Sequence, residues 1–198
     1  MRGSALERST IEPRSVVLFS GHMIDKPGRL PPRFPEAKAE EAGRRIAAEL
    51  DSLGVASGDL GISQAACGGD LLFARACLER GLRLWIMLPQ KESKFLAASV
   101  CFADPRWRRY YDAVRADEDA EFRLMPEELG STPEGMDIYA RCNGWLMHTA
   151  LSCGGTRVSF LALWDGRVGD GPGGTEHMVE LMRRQTGRRP TIIDPAML

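Results

Sequence analysis

The chain has 198 residues, of which 43% are hydrophobic and 27% are charged, a composition typical of one globular domain with a substantial core. Its 26 Lys and Arg against 27 Asp and Glu leave a net charge of −1. Binding duplex nucleic acid through bulk charge requires a cationic face, so we do not expect nucleic acid to be a partner.

The cysteines and the apolar segments exclude several further classes of protein. The five cysteines show no CxxC pair, and no His stands at the spacing of metal ligands. They are typical of reduced thiols in a cytosolic chain, so we expect a cytoplasmic protein without a disulfide framework, a metal site or a redox cofactor. The first 14 residues lack the apolar core of a secretory signal. Gly154 and Gly155 break the weakly charged stretch 142–164, which predicts two buried elements rather than a membrane span.

In the first half of the chain, short apolar runs alternate with segments of helical periodicity. The predicted strands cover residues 16–20, 60–63 and 82–88, and the predicted helices cover residues 36–52 and 71–80. Gly54 and Gly81 follow the two helices where a C-terminal cap is expected. Between the first strand and the first helix, the loop 21–35 carries four prolines.

The same alternation continues to the C-terminus. Helices are predicted over residues 91–100, 105–117, 134–152 and about 175–185, and strands over 122–125, 158–164 and 191–193. Strands that alternate with helices and lack polar alternation predict an α/β fold, with a Rossmann-like open, mostly parallel sheet and helices on both faces. No repeat or linker divides the chain, so we predict a flexible N-terminal segment over 1–15 and one domain over 16–198.

Three loops that follow predicted strands are rich in glycine. They are Ser20-Gly21-His22, Cys67-Gly68-Gly69-Asp70 and Gly171-Pro172-Gly173-Gly174-Thr175. Ligands of open parallel sheets bind beyond the carboxyl ends of the strands, and the helices that start after the second and third loops offer N-termini suited to a phosphate. One such loop is ordinarily a tight turn, but three at one sheet edge predict a phosphate site. The sequence contains neither a GxGxxG after the first strand nor a P-loop.

These loops resemble those of phosphoribohydrolases of the LOG type and of the wider SLOG superfamily. That family has a C-terminal PGGxGTxxE motif, and residues 172–176 are a shortened version of it without the xG pair. The resemblance spans about residues 16–193 and implies that Glu176 is a catalytic acid and that Arg141 is its partner. It also implies a homodimer, as small α/β domains often pair. The shortened motif moves Glu176 relative to the phosphate loop, and the MHERK-type helix signature is absent, so the family fold transfers and the family catalysis does not.

Further polar side chains extend the candidate site. His22 directly follows the first strand, and Arg29 and Arg33 lie in the proline-stiffened loop, where they can clamp a phosphate. Asp165 ends a strand at the rim of the cleft and can bind a ribose hydroxyl, while Asp70 can assist Glu176. The structural alternatives are a surface histidine for His22, solvated arginines for Arg29 and Arg33, and a turn residue for Asp165. For Glu176 the alternative is a carboxylate in the first turn of a helix that complements the helix dipole.

Cys67 stands immediately before the Gly-Gly loop. A thiol beside a helix N-terminus is expected to have a lowered pKa. A nucleophile also needs a base as its partner, and the sequence shows none near Cys67, so packing is the favoured interpretation.

Three functions remain open. The chain can sense a nucleotide-derived small molecule, cleave the N-glycosidic bond of a nucleoside monophosphate, or act as an assembly module through the Arg-rich aromatic helix over 105–117. The first two share a phosphate held by Gly68, Gly69, Gly173, Gly174 and Thr175. Because the catalytic motif is incomplete, the sequence favours sensing over hydrolysis.

Overall fold

The computed structural model describes residues 12–169 and 171–198. Within these residues the strands are β1 (Val16–Gly21), β2 (Leu60–Ser63), β3 (Arg83–Leu88), β4 (Ala120–Leu124), β5 (Val158–Leu163) and β6 (Thr191–Ile193). The helices are α1 (Ala39–Ser52), α2 (Gly69–Leu78), α3 (Glu92–Ser99), α4 (Pro105–Ala116), α5 (Ile138–Ser152) and α6 (Thr175–Thr186). Most of the N-terminal segment predicted to be flexible lies outside the described residues. Its last residue, Ser15, donates its backbone N–H to the carboxylate of Asp59 at 2.9 Å.

The six strands form one sheet in the order β4-β3-β2-β1-β5-β6, and every neighbouring pair is parallel. The chain therefore builds the sheet outwards from β1 to β4, then returns to the other side of β1 for β5 and β6. The direction of strand order reverses between β1 and β5, which makes this the topological switch point. This arrangement confirms the predicted α/β fold.

The central strand β1 shows why polar alternation is missing from the strands. Val17 and Phe19 pack in the core formed with α1, α2 and α4, whereas Val16 and Leu18 pack in the core formed with α5 and α6. Phe19 also stacks on Phe73 of α2, with ring centroids 4.6 Å apart. Both faces of β1 are buried, and each large apolar side chain contributes about 1.5–3 kcal/mol to folding.

The predicted boundaries shift where local capping decides them. The helix predicted from residue 134 begins at Ile138, because Asp137 accepts hydrogen bonds from Tyr139 N at 2.8 Å and Ala140 N at 2.9 Å. The helix predicted from Leu71 begins two residues earlier, at Gly69. Such shifts matter little for the core. They matter for the candidate site, because Asp137 and Gly69 lie on the side of the sheet where the strands have their carboxyl ends.

Two expectations from the sequence, the absence of a membrane span and the absence of a metal site, concern features that can be looked for in the described part of the chain. None of its helices is long and apolar enough to cross a membrane. It also contains no group of three or more His, Cys, Asp or Glu placed to hold a metal ion. All five cysteines are free, and three of them are buried.

Candidate functional site

A cavity of about 440 Å³ lies at the carboxyl ends of β1 and β2, beneath the loop that follows β5. It is next to the switch point, where ligands of open α/β sheets bind. Its wall includes Ser20 and Gly21 from the end of β1 and Gly173, Gly174 and Thr175 from the start of α6. The first and third of the glycine loops therefore meet at one cavity.

The two glycines of the second loop do not line the cavity. Gly68 has φ +103°, and a Cβ there would lie 2.7 Å from both His22 O and Ile24 N. The N–H of Gly69 donates to His22 O at 3.0 Å, and a Cβ on Gly69 would lie 2.9 Å from Gly21 Cα. These two glycines thus let α2 pack directly on the backbone that follows β1. They lie behind the cavity wall instead of forming it.

The start of α6 is built from the third loop. A Cβ on Gly173 would lie 2.5 Å from Asp137 Oδ1 and 2.6 Å from Ala140 N, so only glycine lets this loop approach the N-terminus of α5. Ser20 donates its hydroxyl to Thr175 Oγ1 at 3.5 Å, which links β1 to α6. The unpaired N–H groups and partial positive charge of the first turn of α6 therefore belong to the cavity wall.

Asn143 is a site residue that the sequence analysis did not select. It is buried on α5, donates its amide to Gly173 O at 2.9 Å and Gly174 O at 3.3 Å, and accepts from Gln64 Nε2 at 3.0 Å. Both Asn143 and Gln64 line the cavity. The sequence did contain a signal for Asn143, because it is an amide among apolar neighbours in a predicted helix. A polar group that is buried in this way needs a hydrogen-bond partner.

Arg141 and Glu176, expected to act as a pair, have separate partners in the structure. Glu176 lines the cavity and accepts a hydrogen bond from Gly169 N at 2.8 Å. Arg141 donates instead to Leu129 O and to Thr132 Oγ1, the latter at 3.4 Å, and is absent from the described cavity wall. The geometry brings Glu176 to the site without Arg141.

His22, Arg33 and Asp165 form one compact cluster. Arg33 binds Asp165 through two nitrogens, at 3.0 and 2.9 Å, and His22 Nε2 lies 3.0 Å from Asp165 Oδ1. Burial alone would raise the pKa of Asp165, but hydrogen bonds from Arg33 and His22 hold it well below its usual range. Burial lowers the pKa of His22, and the nearby Arg33 charge adds to this effect. Asp165 therefore stays ionised as a partner of Arg33, and it is not among the residues that line the cavity.

The loop between β1 and α1 brings positive charge to the cavity. Lys26, Arg29 and Arg33 all line it. Asp25 shapes this loop by accepting from the backbone N–H of Arg33 and of Phe34, both at 3.0 Å, while Arg29 Nε lies 3.5 Å from Asp25 Oδ1. The predicted arginines are thus held at the site by a carboxylate within their own loop.

Asp70 lies at the base of the cavity and ties two loops together. Its carboxylate accepts from Gly21 N at 3.1 Å and from Ala66 N at 3.3 Å. Burial raises the pKa of Asp70 to about 7, although these hydrogen bonds act in the opposite direction. Asp70 therefore holds its proton more tightly than an exposed aspartate does.

Part of the cavity wall is aromatic. Phe95, Phe102 and Tyr139 line it together with Ser99. The hydroxyls of Tyr139 and Ser99 are 3.2 Å apart, and Gln90 Nε2 donates to the Tyr139 hydroxyl at 3.4 Å. The cavity wall therefore combines backbone donors at the start of α6 with aromatic side chains that suit a flat apolar ring.

The lowered pKa expected for the Cys67 thiol is wrong. Cys67 precedes α2 as predicted, but burial raises its pKa to about 12. The loss of hydration outweighs the field of the helix N-terminus, so the thiol stays protonated and packs in the core.

Fold and site together define an α/β protein of Rossmann-like architecture with a ligand-sized cavity at its switch point. No protein-family model and no curated protein matches the chain. Among solved structures, the chain is similar to two of the Moco carrier protein from Chlamydomonas reinhardtii, with TM-scores of 0.37 and 0.32 and identities of 9% and 14%. Both alignments cover 92% of this chain and 91% of the other.

Proposed function

We propose that this chain binds a nucleotide or a nucleotide-derived ligand in the cavity and acts as a sensor or effector module. The observation that carries the proposal is that one cavity wall contains the first turn of α6, basic side chains and aromatic side chains together. A volume of about 440 Å³ also lies within the usual range for small-molecule sites.

The phosphate is assigned to the first turn of α6. Gly174 and Thr175 supply backbone N–H groups and a hydroxyl there, and Arg29 and Lys26 line the same cavity. Phosphate binding at a helix N-terminus uses the unpaired N–H groups and the helix dipole, and a nearby guanidinium adds charge-assisted hydrogen bonds. The likeness of residues 172–176 to the LOG-type motif supports the same assignment.

The ring is assigned to the aromatic wall. Phe102 and Tyr139 offer flat apolar surface, and the fully buried Phe95 belongs to the core against which they pack. The linked hydroxyls of Ser99 and Tyr139 offer a polar edge. A heterocyclic base presents the same combination of flat faces and polar edges.

Cleavage of an N-glycosidic bond is the second candidate. The observation in its favour is that the Glu176 carboxylate lines the cavity and is oriented by the Gly169 N–H. Binding without turnover is preferred, because Arg141 is engaged with Leu129 and Thr132 instead of Glu176. Catalysis by a single carboxylate would lack the second group that general acid–base cleavage commonly uses.

Calorimetric titration with nucleoside monophosphates, NAD and ADP-ribose tests the binding proposal. Thr175→Val keeps the side-chain volume but removes the hydroxyl from the first turn of α6, and we expect it to weaken binding about tenfold. Thr186→Val, at the other end of α6, is the matched control and should bind like the wild type. A panel without a binder, or equal affinities for both variants, would contradict the proposal.

Chromatography of the same mixtures distinguishes sensing from hydrolysis. The sensor proposal expects each bound nucleotide to be recovered unchanged. Release of free base that disappears in Glu176→Gln would make the chain an N-glycosidase and assign its acid.

A further inference from the structure

Strand β4 forms one edge of the sheet and leaves its outer backbone groups unpaired within the sheet. The ladder bonds at its two ends are Leu84 N–H to Asp119 O, 2.8 Å, and Met125 N–H to Leu88 O, 2.9 Å. In a parallel ladder of this register, alternate residues direct their backbone groups to opposite sides. The N–H and C=O of Phe122 therefore both face away from β3. An edge of this kind is a template for another strand.

The two edges of the sheet differ in their protection. At the far edge, β6 has three residues, and Pro190 and Pro195 stand on either side of it. Short length and flanking prolines are common ways to block pairing at an edge. In contrast, β4 has five residues without an internal proline or glycine. Of the two edges, β4 is the one open to extension.

The sequence of β4, Ala-Glu-Phe-Arg-Leu, is complementary to itself in antiparallel orientation. A twofold axis at Phe122 places Glu121 opposite Arg123 of a second copy, and Arg123 opposite Glu121 of that copy. The same register lets the outward N–H and C=O of Phe122 exchange two hydrogen bonds with their counterparts. We propose that two copies of this chain associate through antiparallel pairing of their β4 strands, joining their six-stranded sheets into one.

The side chains of β4 are already arranged for this pairing. Glu121 and Arg123 are two residues apart and share one face, where Arg123 donates to both carboxylate oxygens of Glu121 at 3.0 and 2.8 Å. The Arg123 guanidinium lies 3.4 Å from the ring centroid of Trp85, which holds it in place. In a second copy, the same two charges meet in reversed order at the closely spaced, non-hydrogen-bonded position. Four charges of alternating sign then share one face of the joined sheet.

Apolar surface is available in the same part of the chain. Leu124, Leu129 and Met136 are each 49% exposed, and they lie in β4 or in the segment that follows it. On the opposite face, Phe122 packs edge-on against Tyr111 of α4, with ring centroids 5.5 Å apart. Helix α4 thus supports the strand while its outer edge stays open.

This interface is separate from the candidate ligand site. In the sheet, β3 and β2 stand between β4 and β1, and no residue of β4 is among those that line the cavity. Each copy in the pair would therefore keep its own cavity, and the proposal stands independently of which ligand binds there.

Charge reversal at the two β4 positions tests the proposal by sedimentation over a wide range of concentrations. The wild type is expected to form dimers. Glu121→Arg and Arg123→Glu each turn two attractive cross-strand pairs into repulsive ones, and each should raise the dimer dissociation constant about tenfold or more. Mixing the two variants restores both attractive pairs, so the mixture should form a heterodimer although each variant alone is monomeric.

Arg189→Glu is the matched control, because it makes the same charge change beside β6. It should leave the dimer unchanged. Circular dichroism verifies that each variant is folded, and the mixing experiment itself requires folded protein. A wild type that stays monomeric, or a dimer insensitive to both reversals, would overturn the proposal. Failure of the mixture to associate would overturn it as well.

Discussion

Arg33 and Asp165 form a two-pronged ion pair in which Nε lies 3.0 Å from Oδ2 and a terminal nitrogen lies 2.9 Å from Oδ1. Arg33 belongs to the loop between β1 and α1, and Asp165 follows β5, so the pair spans the switch point of the sheet. The side chains are only 10% and 6% exposed. The pair fixes the loop that brings Arg29 and Arg33 to the cavity, and in this way Asp165, which does not line the cavity, positions part of its wall.

Removing the Arg33 side chain should therefore lower the free energy of unfolding. Arg33→Met leaves Asp165 as a buried charge with His22 beside it, and we expect the free energy of unfolding to fall by about 3 kcal/mol. Arg33→Lys should lose less, because lysine keeps the charge but not the planar fork. Urea denaturation measures both values. Arg108→Met is the control, since it breaks the exposed pair between Arg108 and Asp112, and such pairs contribute little to stability. Equal effects of Arg33→Met and Arg108→Met would contradict the structural role.

Gly173 allows a test of how the third loop reaches α5. A Cβ at this position would lie 2.5 Å from Asp137 Oδ1 and closer still to Tyr139 Cβ, so Gly173→Ala should push the loop away and cost about 1–3 kcal/mol. Ligand affinity should fall with it, because Gly174 and Thr175 move together with the loop. Gly171→Ala is the control, as a Cβ there meets nothing within 4 Å. Thermal denaturation and calorimetry compare the two variants, and a stable Gly173→Ala protein would refute the packing argument.

Asn143 should support the same loop through hydrogen bonds. Asn143→Leu keeps a similar volume but leaves Gly173 O and Gly174 O without the amide donor, for which we expect a loss of about 1–3 kcal/mol. Ser152→Ala, an exposed position on the same helix, is the control and should be neutral. Chemical denaturation gives both values. A neutral Asn143→Leu would mean that the loop keeps its conformation without the amide.

The sheet could be predicted because its signals are local. The buried runs around Val17 and Ile62 carry no polar alternation, and the helices between strands show their own period, so fold class follows from short stretches. The position of Ser20 and Thr175 at one cavity followed as well, because the carboxyl ends of parallel strands meet at one edge.

The site residues that were missed depend on packing between distant segments. Arg141 and Asn143 are two positions apart, which is about 200° around a helix, so they face nearly opposite directions. The motif resemblance selected the charged residue, while the helix turns Asn143 to the loop and Arg141 to Leu129 and Thr132. The sequence of the helix marks Asn143 as an amide among apolar neighbours, but it does not show that this face meets the third loop.

The glycines show a second reason why the sequence alone did not predict the whole site. A glycine needed for approach to a ligand and a glycine needed for approach to another chain segment look identical in sequence, because both are required by the missing Cβ. Gly68 and Gly69 are of the second kind, since they pack against His22 O and Gly21 Cα. Only the arrangement of β1 and α2 in space separates the two cases.

Asp70 makes the stability of this fold depend on pH in an unusual direction. Burial raises the pKa of Asp70 to about 7 in the folded chain, whereas an unfolded aspartate titrates near 4. The folded state therefore holds its proton more tightly, and the contribution of Asp70 to stability is fully present below about pH 4 and is lost as the pH rises towards about pH 7.

Asp70→Asn removes this dependence of stability on pH. In urea denaturation, we expect the difference in unfolding free energy between wild type and Asp70→Asn to shift in favour of the variant by about 1 kcal/mol per pH unit across that window. Any loss of the hydrogen bonds to Gly21 N and Ala66 N adds a constant offset, so the slope is the diagnostic quantity. Parallel pH profiles for the two proteins would show that Asp70 is ionised in the folded state throughout, with its two backbone donors outweighing its burial.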